Sequence, residues 1–144
     1  MQAMTRFLVA LLLALGVAFQ AQAQSDFLKY KLSVAGIEKA QAATRELEKT
    51  VKMKEDGGDK DGMTVEQFTR ELDATPGVKP VLARHGLTTR DYAQTALALF
   101  QAGFHLMMEP SMDKKKGAEL LASYPAETRS NIELLRKNPQ LLKK

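Results

Sequence analysis

Asp56, Asp59 and Asp61 lead into Gly62, with Glu66 and Phe68 close behind. Carboxylates spaced two apart before a glycine suggest a calcium loop, in which hard oxygen ligands surround the ion. With Gly62 at the loop's invariant sixth position, Asp61 and Asp59 fall correctly at the fifth and third. Gly57 then occupies the first position, where a ligand is required, and Phe68 the twelfth, where a bidentate glutamate is required. A structural reading accounts for the same residues. Thr64 and Gln67 have the spacing of a capping box, in which each side chain satisfies a free amide at the start of a helix. The glycines and aspartates before them suit a turn. The capping reading is preferred, and Asp59 and Asp61 remain metal candidates only.

A second set of donors lies in HLMMEPSM, where His105, Met108 and Met112 combine an imidazole with two thioethers. Such ligands suit Cu(I) in an oxidising compartment. Methionine is also an adaptable filler of hydrophobic cores, and a histidine at a helix C-terminus is favoured by the helix dipole. Met112 falls beyond Pro110, so only His105 and Met108 share a helical face. Core packing is therefore the default, and no metal or cofactor is assigned. His85, the only other histidine, sits in Arg84-His85-Gly86, the expected end of a helix. No serine or carboxylate near it in sequence is set up as a catalytic partner. A glycine-rich phosphate loop, G-x-S-x-G, H-E-x-x-H and paired cysteines are all missing from the sequence. The chain reads as a non-enzyme.

The elements that would position these residues are mostly helical. MQAMTRFLVALLLALGVAFQAQA has one basic residue, Arg6, an apolar run from Phe7 to Phe19, and Ala21-Gln22-Ala23 as a cleavage site. Those are the three parts of a secretory signal peptide. The run is shorter than the ~20 residues of a membrane-spanning helix. The expectation is a signal peptide over 1–23 and a single helical domain over 24–144. That domain has no integral membrane segment and is exported to the periplasm or secreted. The chain has no cysteine and so no disulfides. Its net charge of +4 is mildly basic, and the Lys114-Lys115-Lys116 and Lys143-Lys144 clusters read as a solvated loop and tail. Export and the lack of aromatic residues among the basic ones argue against nucleic acid as a partner.

In DFLKYKL, Leu28, Tyr30 and Leu32 alternate as in a strand, which predicts either a strand or an extended arm laid over helices. Ser33 caps a helix whose Ile37, Ala40, Thr44, Leu47 and Val51 form one apolar stripe, ending near Glu55. A short helix follows Thr64, with Val65, Phe68 and Leu72 on its apolar face. Pro76 can open the next, capped by Thr75, with Val78, Val81 and Leu82 inside. The strongest helix covers 89–108. Thr88 and Asp91 cap it, and Leu87 and Tyr92 form a hydrophobic staple. Arg90, Gln94, Gln101 and His105 make its narrow polar stripe. The remaining circumference is apolar or small, which predicts a central helix with Leu99 and Phe100 buried. Residues 113–117 read as an exposed link and 118–123 as a short helical turn. Thr128, Ile132 and Leu135 mark a last helix that stops at Asn138-Pro139, and Leu141 and Leu142 tuck back onto the core.

GLTTRDYAQTALAL, NIELLRKNP and YKLSVAGIEKAQAATREL resemble segments of an uncharacterised family of small exported bacterial helical proteins. That resemblance implies a helical secreted domain and no known activity. Leu87-Thr88 before a helix is also similar to the L-T-x-x-Q helix starts of Spy-type periplasmic chaperones, although Asp91 stands where those have glutamine. The expected fold is an all-α single-domain bundle of about five helices around the central apolar helix 89–108. The expected role is binding an unknown protein or envelope component. The alternative is a chaperone-like protein or one that handles copper or calcium.

Overall fold

Four helix starts are set by side chains that accept a free backbone amide. Ser33 accepts from Gly36 N at 3.0 Å and starts α1, Val34–Thr50. Thr64 and Gln67 exchange both bonds of a capping box, at 3.1 and 3.0 Å, and start α2, Val65–Ala74. Thr88 and Asp91 do the same for α4, Thr89–Met108. Asp113 accepts from Lys115 N to start α5, Lys114–Ser123. Between them lies α3, Val78–Arg84, and after them α6, Ala126–Lys137. Short 3-10 turns, Glu109–Ser111 and Pro139–Leu142, follow α4 and α6. This computed structural model describes residues 27–51 and 63–143, which form a small all-α domain with no strand among the described residues. The expected signal peptide and Asp56, Asp59 and Asp61 lie outside the described residues.

Three boundaries differ from the sequence expectation. α1 stops at Thr50 because Val51 turns extended and packs its side chain into the core beside α3. α3 is preceded by Gly77 rather than capped by Thr75. Gly77 has φ +88°, a left-handed conformation that suits glycine. Pro80 is tolerated because it lies in the first turn, where amides have no partner within the helix. α5 begins at Lys114, so much of the predicted link 113–117 is helical, with Gly117 N bonded to Asp113 O at 2.9 Å.

The core has two parts, and both α1 and α4 enter each. Ala40, Ala43 and Leu47 of α1 pack with Val65, Leu72, Val78, Val81, Leu82, Tyr92 and Ala93. Ile37 of α1 packs with Leu32, Ala98, Ala102, Ile132, Leu135 and Leu141. α4 touches α1, α2, α3 and α6, so it is central as expected. The segment expected as a strand or extended arm instead opens on a helical turn, with Tyr30 N bonded to Phe27 O at 3.1 Å, and carries no regular structure over 30–33; α6 holds it. Thr128 Oγ1 donates to Leu28 O at 2.7 Å, Asn131 Nδ2 donates to Tyr30 O at 2.8 Å, and Asn131 Oδ1 accepts from Leu32 N at 2.8 Å. One asparagine thus satisfies a backbone carbonyl and a backbone amide of a segment that has no regular structure of its own. Leu141 is buried as expected, whereas Leu142 is exposed over Gly103.

The circumference of α4 corrects the expected faces. His105, assigned to the polar stripe, is only 2% exposed. Phe100, expected inside, is 54% exposed, and Leu99 is half-buried against α6 and its neighbours. α2 covers the first half of this apolar face, where Phe68 meets the Tyr92 ring at 6.2 Å. Phe100, Phe104, Met107 and Met108 on the second half are exposed.

Candidate functional site

The C-terminal end of α4 delivers His105, and the turn after it delivers Glu109, four residues on and so above the same face. His105 Nε2 lies 3.2 Å from Glu109 Oε2. α6 brings Arg136, whose Nη1 and Nη2 donate to the two oxygens of Glu109 at 2.8 and 2.9 Å. Arg136 Nε donates to Glu133 Oε1 at 3.2 Å. The bidentate Arg136 holds the Glu109 carboxyl below its ordinary value, and the guanidinium is raised in return. The His105 ring meets Tyr124 edge-on, with centroids 5.4 Å apart. Partial burial raises the Tyr124 phenol.

A carboxylate facing Nε2 places a proton on that nitrogen. Nδ1 is buried and has no hydrogen-bond partner. A cavity of about 320 Å³ opens here, lined by His105, Glu109, Met112, Lys114, Leu121 and Arg136 among others. The cavity collects His105 and Met112 of the copper set. Met108 does not line it and points into the exposed stripe of α4. Among the described residues no three His, Cys, Asp or Glu side chains are grouped to hold a metal ion. Asp59 and Asp61 lie outside the described residues.

His85 also has a carboxylate partner, from far along the chain. Its Nε2 lies 2.6 Å from Glu46 Oε2, and Arg84 Nε donates to Glu46 Oε1 at 3.0 Å, with Arg84 Nη2 on the same oxygen. Arg84 first, and His85 second, hold the Glu46 carboxyl below its ordinary value. Glu46 is not legible in the sequence as a partner of His85, because it lies on α1, between the core positions Ala43 and Leu47, with nothing local to link the two. Among the described residues no hydroxyl is hydrogen-bonded to either histidine. Each has an orienting carboxylate but no nucleophile to activate, which is half of a catalytic arrangement.

The other distinctive feature is the uncovered stripe of α4. Phe104 is 46% and Met107 66% exposed, and the Phe100 and Phe104 rings stack at 6.0 Å. Leu142, lying against Gly103, extends the apolar surface. No described helix is long and apolar enough to cross a membrane. The chain matches no known protein family, no curated protein and no solved structure. The resemblances to exported helical proteins and to Spy-type chaperones therefore rest on the quoted segments alone.

Proposed function

We propose that this chain is a non-enzymatic binding protein, exported to the periplasm or the medium, that holds an envelope or secreted partner against the second half of α4. One observation carries the reading: Phe100, Phe104, Met107 and Met108 stand exposed on a helix whose other faces are packed. Large apolar side chains gathered on one exposed face favour contact with another molecule, because burying them there removes apolar surface from water. The N-terminal apolar run from Phe7 to Phe19 supports export. The test uses a photo-crosslinking residue at position 104 in the full chain, expressed in cells and compared with one at exposed Glu133. A discrete adduct at 104 that Met107→Ser abolishes supports the reading. Equal labelling at both positions overturns it.

A chaperone-like activity is the second reading, favoured by the composition of the same stripe. Methionine and phenylalanine together make an adaptable surface that can repack around different apolar segments. Suppression of aggregation of an unfolded client, lost in Phe104→Ser, would put this reading first. The metal-handling reading retains only His105 and Met112 in one cavity, and a Cu(I) titration that leaves the Met112 methyl resonance unmoved would end it.

A further inference from the structure

Every large apolar side chain that stands exposed among the described residues comes from one stretch of the chain. Phe100, Phe104, Met107 and Met108 belong to the second half of α4, Leu120 to α5 and Leu142 to the terminal 3-10 turn. α1, α2, α3 and α6 contribute none. Leu142 is tied directly to the α4 stripe, since a Cβ on Gly103 would lie 3.2 Å from its Cδ2. α5 adjoins the end of α4 through the cavity wall that Lys114, Ala118 and Leu121 share with His105 and Glu109. It buries no side chain and so leaves most of its own surface in solvent.

The same segments carry a cluster of lysines. Lys114, Lys115 and Lys116 open α5, and Lys137 and Lys143 bracket the terminal turn. All five are exposed, and none joins an ion pair among the described residues. The acids beside them are Asp113, which caps α5, Glu119, and Glu109 and Glu133, which share Arg136. From Phe100 to Lys143 basic residues outnumber acidic ones, and α4 itself has no acid between Asp91 and Glu109. Apolar side chains flanked by lysines suit the interface of an anionic bilayer, where apolar groups enter the acyl boundary and cations meet headgroup phosphates. A second copy of this chain fits less well, because a shared face would bring two sets of lysines together, and like charges oppose such a contact.

We propose that the second half of α4, with α5 and the terminal turn beside it, docks on an anionic membrane surface. The inference rests on the reading of the α4 stripe as a binding face and names what that face meets. α4 lies along the surface, with Phe100, Phe104 and Met107 entering the headgroup boundary over the stripe's length of about 12 Å, at 1.5 Å per residue. Lys114, Lys115, Lys116 and Lys143 pair with headgroup phosphates. Apolar burial supplies attraction to any bilayer, and the lysines supply the preference for an anionic one.

The chain has no cysteine, so Met107→Cys and Glu48→Cys each give the full chain a single site for an environment-sensitive dye. The probe is phosphatidylcholine vesicles with about 30% phosphatidylglycerol, set against phosphatidylcholine alone. With anionic vesicles the dye at 107 should shift to the blue and be quenched by brominated acyl chains. The dye at exposed Glu48 on α1 should do neither. Phe104→Ser should weaken the binding read at 107 by on the order of tenfold. Replacing Lys114, Lys115 and Lys116 together by glutamine should weaken it at least about tenfold, and raising the salt should act in the same direction. These lysines are exposed, so their replacement leaves the packing intact. Binding through the Phe7–Phe19 run alone would leave the dye at 107 in water and overturn the proposal. Equal affinity for the two kinds of vesicle, or a shift that follows protein concentration without vesicles, also overturns it. If the dye at 107 does not move, a discrete protein adduct at position 104 keeps the binding face and removes only the lipid, whereas the lack of an adduct removes both.

Discussion

Glu46–Arg84–His85 and Glu109–Arg136–His105 are built from the same three side-chain types, with one carboxylate between an arginine and a histidine in each. They differ in where the histidine lies. His85 ends α3, its side chain is 24% exposed, and the cluster clasps α1 to α3 at the surface. The His105 side chain is 1% exposed, and its ring lies against Tyr124. At the first site the imidazole retains access to water. At the second, Glu109 and Tyr124 replace solvent and one nitrogen is left unmatched. Identical pair chemistry thus gives a surface clasp in one place and a committed buried polar group in the other, because burial sets the cost of losing a partner.

The sharpest way to break the comparison is to remove each ring. His105→Ala leaves a cavity inside the bundle and should cost about 2–4 kcal/mol, whereas His85→Ala should cost less than about 1 kcal/mol. Equal losses in urea unfolding would mean that the two clusters are energetically alike. The carboxylates come next. Glu109→Ala strands a buried N–H of His105 and should cost about 1–3 kcal/mol. Glu46→Ala should shift the urea midpoint less, since its partners can turn to water.

Acid should act on both clusters in the same direction. Each carboxyl is held below the ordinary glutamate value of 4.5, so the stability it contributes is fully present above that value. It is lost as the pH falls through the lowered folded values. Glu46→Gln and Glu109→Gln should each flatten the acid limb of a melting-temperature profile, and a limb unchanged in both would remove these pairs as its cause. The smallest effect is salt. Raising ionic strength from about 0.05 to about 1 M should reduce the difference between wild type and Glu46→Ala more than that between wild type and Glu109→Ala, since Arg84 is more exposed than Arg136 and exposed charges are screened first.

Local rules were legible where neighbours in sequence are also neighbours in space. The Thr64–Gln67 and Thr88–Asp91 capping boxes and the Ser33 cap formed as the spacing implied. Ile37, Leu47, Leu72, Ile132 and Leu135 are buried as their helical period predicted. His105 was legible as a residue of interest, but not as a buried one. Its Glu109 partner lies four residues on, a spacing that puts the two on one helical face and is legible in the sequence. Arg136 and Glu46 were not within reach, since each pairing depends on which helices pack together.

The sequence by itself determined the helical character, most helix starts and the inward positions of the amphipathic helices, because caps and periodicity act over a few residues. It could not orient α4. A helix apolar around most of its circumference has no preferred inward face, so its neighbours decided which side was covered. α2 is too short to reach past the first half of that helix, and α6 occupies the side that carries His105. Packing therefore buried a histidine that the polar stripe had placed outside, and left Phe100, Phe104 and Met107 in solvent.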